Sequence, residues 1–407
     1  MEKHTKTLLT AAISVSLLNG CLELDDPYSP PESSQPPTLK EIYSPQSDGS
    51  YALSIVDQAD IEAQIDANGN ALQDNVATTG LNDDNNPPVN FKVSGSAKGR
   101  LQAKSADGNA VDLGVSKENS TLQFDFRSVE KPTLSQPIYV SAQQTAGIDS
   151  TEVALSSAAL ALAGSATQTL KIPLSCFDMD FTQTVTPFVL HSEGNLDVDV
   201  GNIRVVTNSI EGDSSVLECT NNSTFLKPDA DSENSNIFII GNPSLGWANA
   251  ITTWMTDGSD LQLDWGHDSF SISYPAPQAG ANGGIILQPN DGNPRDVAAY
   301  VATGVLEFML NVESYGSHPT KKLQVQMEST YGNSQPYFLP AGFAENSWQQ
   351  VRIPLKTLFT KSDGSIDINV LRNINKPLSL LPEWISEGDT LAGMKYTIAG
   401  VKLVMNP

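Results

Sequence analysis

Residues 107 to 126 (DGNAVDLGVSKENSTLQFDF) align without a gap on residues 291 to 310 (DGNPRDVAAYVATGVLEFML), an offset of 184 that keeps Asp107/Asp291, Gly108/Gly292, Asn109/Asn293, Asp112/Asp296, Leu122/Leu306 and Phe124/Phe308 in step. Later segments recur in the same order: Ile138 to Gln143 with Leu323 to Glu328, Ile172-Pro173-Leu174 with Ile353-Pro354-Leu355, and Asn202 to Val206 with Gly400 to Val404. Each match is short, but a shared order is what a tandem duplication leaves behind. The chain should therefore fold as one domain written twice, over 46–208 and 236–407, with a polar connector over 209–235.

Within each copy, apolar and polar residues alternate over five to eight positions, as in Leu122-Gln123-Phe124-Asp125-Phe126 and Leu323-Gln324-Val325-Gln326-Met327. A period of two buries one face of a strand, and stripes at the helical period are missing. Gly, Pro and Asn/Asp clusters bound these runs and mark turns. The fold class that follows is all-β, two tandem β-sandwiches. Thr151 to Ala163, rich in Ala and Leu, fits either a short helix or a strand with a crossover.

The N-terminus carries an address. Lys3 and Lys6 precede an apolar run from Leu8 to Leu18, and Leu18, Gly20 and Cys21 stand at −3, −1 and +1 of a lipobox-like site. About a dozen apolar residues are too few to span a ~30 Å hydrocarbon core but suit a cleaved signal. Cys21 is the expected lipidation site, with residues 1–20 as a lipoprotein signal peptide. Residues 21–45, with Pro27, Pro30, Pro31, Pro36 and Pro37 among Ser, Glu and Asp, read as a disordered tether. Leu22 rather than Asp after the cysteine points to the outer membrane of a Gram-negative envelope, with either leaflet open.

The segment Lys171-Ile172-Pro173-Leu174-Ser175-Cys176-Phe177, followed by Asp180-Phe181, Thr186-Pro187-Phe188-Val189-Leu190, Gly194-Asn195-Leu196 and Asn202-Ile203-Arg204, resembles the closing strands of the ExoP-type galactose-binding-like domain. That domain sits at the C-terminus of certain family 3 exo-β-glucanases. The resemblance is clearest over 120–206 and looser over 305–404, where Thr357 and Leu358 replace the Ser-Cys pattern. It implies a jelly-roll sandwich in each copy and carbohydrate binding without hydrolysis, because nothing here resembles the catalytic barrel of those enzymes.

Chemistry-bearing motifs are few. His4, His191, His267 and His318 are scattered, with no zinc spacing, and no nucleophile elbow, Walker loop or dinucleotide fingerprint occurs. With 23 Lys+Arg against 47 Asp+Glu, a net charge of −24, the chain is a poor partner for nucleic acid. Asp66 to Asn70 begins like an EF-hand loop but lacks its Gly and its bidentate Glu. Asp107, Asp112, Asp291 and Asp296, in the repeated Asp-Gly-Asn turns, are candidates for a structural calcium ion; the competing reading is a turn in which glycine supplies a positive φ. Once Cys21 is acylated, Cys176 and Cys219 remain as an even pair. Either they form a disulfide, closing a loop of about 42 residues for ~3–4 kcal/mol, or one thiol is buried and the other exposed.

Sugar recognition needs exposed rings for pyranose C–H faces and planar polar groups for hydroxyls. All five tryptophans lie in the second copy. Trp247, Trp254 and Trp384, in loop-like or Gly/Asn/Thr-rich surroundings, are the ligand-binding candidates; Tyr300 and Tyr315 are weaker ones. Trp348, leading into an alternating strand, is expected in the core, and Trp265 fits core or surface. Tyr51 stands near the Trp247 position of the first copy. The expected function is a non-catalytic, carbohydrate-binding lipoprotein that holds a neutral β-glucan for a partner hydrolase or transporter, since an acidic chain repels acidic glycans. The alternative is a scaffold lipoprotein that binds protein through the same sandwich.

Overall fold

The computed structural model describes residues 37–44, 47–81, 88–133, 137–145, 150–210, 213, 215–220, 223–226, 236–238, 249–265 and 269–405. Cys21, the signal, the tether before Pro37, and Trp247 lie outside the described residues. Among the described residues no helix is long and apolar enough to cross a membrane.

Ten principal strands build each copy. The first has β1 (Leu39–Tyr43), β2 (Tyr51–Val56), β3 (Val76–Gly80), β4 (Val89–Val93), β5 (Gly99–Ser105), β6 (Thr121–Ser128), β7 (Ile138–Gln144), β8 (Gln168–Pro173), β9 (Thr184–Ser192) and β10 (Leu196–Val206). The second has β11 (Asn236–Phe238), β12 (Asn249–Met255), β13 (Gln262–Trp265), β14 (Ser269–Tyr274), β15 (Gly283–Pro289), β16 (Gly304–Tyr315), β17 (Leu323–Ser329), β18 (Gln349–Pro354), β19 (Ile374–Pro382) and β20 (Met394–Met405). One sheet of the first copy runs β8-β6-β10-β4-β3 with β1 also on β10, and the other runs β7-β9-β5-β2. The second copy repeats both orders as β18-β16-β20-β14-β13, with β11 on β20, and β17-β19-β15-β12. The two copies thus share one strand order, and every repeated sequence segment falls on an equivalent pair.

Burial follows the alternation. On β6, Leu122, Phe124 and Phe126 are buried, and Phe124 meets Phe188 of the facing sheet edge-on at 5.1 Å. On β16 the same inward positions are Leu306, Phe308 and Leu310, all buried. Each buried ring contributes ~1.5–3 kcal/mol over its exposed state. The repeated Asp-Gly-Asn motif is the same turn twice: Gly108 and Gly292 have φ of +73° and +71°, and their N–H groups donate to Ser105 and Pro289 carbonyls at 3.0 and 3.1 Å. Only glycine adopts such angles at no steric cost.

Several expectations change. The tether does not reach residue 45, because β1 pairs with β10 and buries Ile42 and Tyr43. Two buried side chains sufficed to make a strand that the neighbouring prolines concealed. The connector is not merely polar and solvated: Leu217 is buried, Val216 bridges to Lys171, Cys219 joins Cys176, and Thr224–Phe225 pairs in parallel with Arg295–Asp296 of the second copy. Over 151–163 a short helix, α1 (Ser156–Ala161), follows the two-residue strand Val153–Ala154.

From Pro37 onward the chain packs as one compact unit. Helix α1 lies against α2 (Ala298–Val301), and Ser157 donates to Asp296. The Gln168 amide reads the backbone of Ile366 twice, accepting from its N–H at 2.8 Å and donating to its carbonyl at 3.0 Å.

Candidate functional site

The sheet β17-β19-β15-β12 has one face in the core and one outward. Antiparallel pairing lines up outward side chains in rows across the strands. One row reads Gln324, Leu381, Gly284, Trp254, and the next reads Gln326, Ser379, Ile286, Thr252. Between these rows lies a groove of about 290 Å³. A Cβ on Gly284 would stand 2.7 Å from both the Leu380 carbonyl and Leu381 Cγ, so glycine is what lets Leu381 lie over the strand and form a low apolar floor.

Trp254 and Trp384 stand together at one end of this groove, ring centroids 5.4 Å apart and planes tilted by 41°. They remain 37% and 63% exposed, an unfavourable display of apolar area unless something covers it. Trp384 is held by its neighbours. Glu383 accepts from Thr320 through its carboxylate and from His318 Nε2 at 3.0 Å through its carbonyl. His318 is buried; its Nδ1 accepts from the N–H groups of Thr320 and Lys321 at 3.2 Å, so the proton sits on Nε2. Burial holds this imidazole below its ordinary pKa and keeps it neutral. On the other side, Asn282 Oδ1 accepts from the Ile385 N–H at 2.9 Å and Nδ2 donates to the Ile385 carbonyl at 3.3 Å. The backbone of Asn282 also pairs with Thr256, accepting its N–H at 2.9 Å and donating to its Oγ1 at 2.8 Å. Thr256 follows the end of β12, so one buried asparagine ties the Trp254 strand to the Trp384 loop.

The opposite wall is polar. Gln324 Nε2 donates to Gln326 Oε1 at 2.7 Å, and Lys376 Nζ bonds Glu328 Oε2 at 2.6 Å, while Ser379 donates to the other oxygen of Glu328. Lysine and glutamate neutralise each other, which leaves dense donors and acceptors without net charge. Phe338, 43% exposed, pairs with Gln324 and prolongs the first row beyond it. Four strand spacings of ~4.8 Å put it about 19 Å from Trp254. A face with rings at its ends, an apolar floor and an amide-rich wall can stack the C–H face of a sugar ring and hydrogen-bond its hydroxyls.

Sequence reasoning singled out Trp254 and Trp384, and the fold brings them together. It missed Phe338, Gln324, Gln326, Glu328 and Lys376, whose only signal was the outward parity of their strands. Trp348 is not in the core but 48% exposed: it shares the parity of outward Gln350 and Arg352, opposite to buried Val351 and Ile353. Tyr51, Tyr300 and Tyr315 are buried. The calcium candidates do not assemble. Asp107 Oδ1 accepts from Asn109 N at 2.9 Å, Asp112 from Gly114 N at 2.7 Å, Asp291 from Asn293 N at 3.0 Å and Asp296 from Ala298 N at 2.9 Å. Each is spent on its own turn, and no group of three or more His, Cys, Asp or Glu able to hold a metal occurs among the described residues. Cys176 and Cys219 form a disulfide with an S–S distance of 2.08 Å.

Residues 52–205 match a galactose-binding-like family, the ExoP C-terminal domain, and residues 236–378 match carbohydrate binding domain 30. The second copy, expected as another ExoP-like domain, thus matches a different family on the same strand order. Both matches are to non-catalytic carbohydrate-binding modules. No curated protein matches the chain. Among solved structures, the exo-1,3/1,4-β-glucanase ExoP of a Pseudoalteromonas species is similar at 15% identity and a TM-score of 0.36, covering 45% of this chain and 22% of that one. The extra C-terminal domain of that enzyme gives 14% and 0.35, with 44% and 95% covered. The family 30 carbohydrate-binding module of a cellulosomal cellulase of Clostridium thermocellum gives 14% and 0.29, with 41% and 96% covered. This chain therefore spans about a fifth of the whole glucanase and nearly all of each isolated module. It carries an ExoP-like galactose-binding domain and a domain-30-like carbohydrate-binding module in tandem.

Proposed function

We propose that the chain is a non-catalytic lipoprotein that captures a neutral glucan at the cell envelope and holds it for a partner hydrolase or transporter. The observation that carries this reading is the pair Trp254 and Trp384, fixed 5.4 Å apart over a groove whose polar wall has its charges paired. A glucan chain laid along the rows would stack on the tryptophans and present its hydroxyls to Gln324, Gln326 and Glu328. A neutral polymer suits a chain of net charge −24, which repels uronic acids and sulfates. Lipidation at Cys21, followed by the proline-rich stretch up to β1, would anchor the two domains to the outer membrane and hold them off its surface.

Affinity electrophoresis through gels containing laminarin, mixed-linkage glucan, xylan or alginate tests the binding. Retardation by a neutral glucan should fall in Trp254→Ala and Trp384→Ala, each by about 2 kcal/mol or ~30-fold in affinity, as for a desolvated tryptophan anchor. Equal mobility in every gel would refute the reading.

A further inference from the structure

The duplication gives the first copy a counterpart of the tryptophan face. The outward rows of β7-β9-β5-β2 read Tyr139, His191, Arg100, Val56 and Ser141, Val189, Gln102, Ser54. In the second copy the same places hold Gln324, Leu381, Gly284, Trp254 and Gln326, Ser379, Ile286, Thr252. Over the first-copy rows lies a cleft of about 460 Å³, larger than the tryptophan groove and within the range of small-molecule sites.

Its chemistry differs. Three positively charged or protonatable groups each face a carboxylate: Arg100 bonds Asp60, Lys98 Nζ lies 3.4 Å from Glu193, and His191 Nε2 lies 3.2 Å from Glu152 Oε1. The last contact lacks the alignment of a hydrogen bond, so Nε2 is buried with a bond still to make. Ser141 and Gln143 extend the polar lining along β7. The ring pair Tyr139 and His191, centroids 5.1 Å apart and planes tilted by 40°, offers no flat platform, and no tryptophan stands in the cleft.

We propose that this cleft is a second binding site, taking the hydroxyl-rich edge of an uncharged saccharide. A hydroxyl both donates and accepts, so one lying across such a pair accepts from the guanidinium or imidazole and donates to the carboxylate without parting them. A uronate would meet Asp60, Glu152 and Glu193, and a cationic amino sugar would meet Arg100 and Lys98. Either would break a pair that a neutral sugar leaves intact. The site does not depend on the tryptophan groove.

The test uses the full chain carrying Trp254→Ala and Trp384→Ala together, titrated calorimetrically at neutral pH with laminarihexaose, cellohexaose, xylohexaose and mannohexaose. Trigalacturonate and chitosan hexamer serve as charged probes. One neutral hexaose should still bind at a single site, and adding Gln143→Ala or His191→Ala should weaken it about tenfold or more, the loss of one hydrogen bond to a charged or buried partner. Thermal midpoints separate lost binding from lost folding, and Glu152→Gln, half exposed at the rim, gives a variant that does not burden the core. The proposal is overturned if no neutral hexaose binds the doubly substituted chain, if binding there ignores all three cleft substitutions, or if trigalacturonate or the chitosan hexamer binds better. The groove reading fails separately, if the wild-type and doubly substituted chains bind the neutral probes equally.

Discussion

Asn282→Ala tests whether the ring pair is positioned or merely adjacent. The side chain is 3% exposed and makes three hydrogen bonds, two to the backbone of Ile385 and one, at 2.9 Å, to the Gly280 carbonyl. Ile385 is itself buried, so its N–H and carbonyl lose partners where water is scarce. An unpaired buried group costs ~1–3 kcal/mol, and with partial relaxation the substitution should destabilise the second domain by about 2–4 kcal/mol. At ~2–4 °C per kcal/mol for a domain of this size, the melting midpoint should drop by roughly 4–16 °C. Trp384, one residue before Ile385, loses one of its two anchors, and glucan affinity should fall about tenfold although no groove atom has been removed. The exciton couplet of the paired indoles in circular dichroism reports ring geometry without ligand and should shrink well below the melting midpoint. Asn282→Asp keeps the acceptor for the Ile385 N–H and should recover part of both signals. A destabilised variant with an unchanged couplet and unchanged affinity would refute the positioning argument and leave Asn282 as a structural residue.

Reduction of Cys176–Cys219, which encloses a separation of 43 residues, should lower first-domain stability by ~3–4 kcal/mol in the chain-entropy model; melting with and without reductant checks this, and glucan binding at the tryptophan face should not change. Acid should destabilise the chain in two stages, the first because burial holds His318 and His191 below the ordinary imidazole pKa: each is neutral in the fold, and its contribution to stability is lost as pH falls below the unfolded value of about 6.5. Hydrogen bonds hold Asp107 down at about 2, Ser105 contributing most, and Asp291 is lowered chiefly by Arg295. A carboxyl with a depressed folded pKa stabilises fully above its unfolded value, and that contribution is lost as pH falls through the folded one. The melting midpoint should therefore fall gently from about pH 6.5 downward and more steeply between roughly pH 4 and 2; a midpoint flat from pH 7 to 5 would show that the buried histidines do not resist protonation.

The duplication was legible because strands with one buried face keep their apolar parity even when identities drift, as at Phe124 and Phe308. The same parity places Trp348 outside, beside Gln350 and Arg352, because alternation alone does not say which parity faces the core until the buried set, Val351 and Ile353, is fixed. Strand β1 was hidden because five residues burying two side chains leave little periodicity beside a run of prolines. The polar wall was hidden for a different reason. Gln324, Gln326 and Glu328 are ordinary outward residues until β17 pairs with β19, and the Asn282 link joins residues 103 apart in the chain. Such contacts are set by strand order, which a single sequence carries only indirectly.

One skeleton with two sets of outward residues explains how a duplicated sandwich acquires two chemistries without changing its fold. At the central position of the row, Gly284 leaves room for Leu381, and the floor beside Trp254 is low and apolar. A pyranose can settle there face-on, exchanging water for C–H contacts at ~25 cal/mol per Å² of apolar area. In the first copy Arg100 fills the same position, with His191 beside it. A sugar face pressed onto that guanidinium would strip its water and return no hydrogen bond, an unfavourable exchange for a charged group. A hydroxyl edge returns the bond. On the two binding readings proposed above, arginine in place of glycine at one register position would turn the preferred approach of a saccharide from face-on to edge-on, and Arg100 and Gly284 would mark the point at which the two copies differ in recognition.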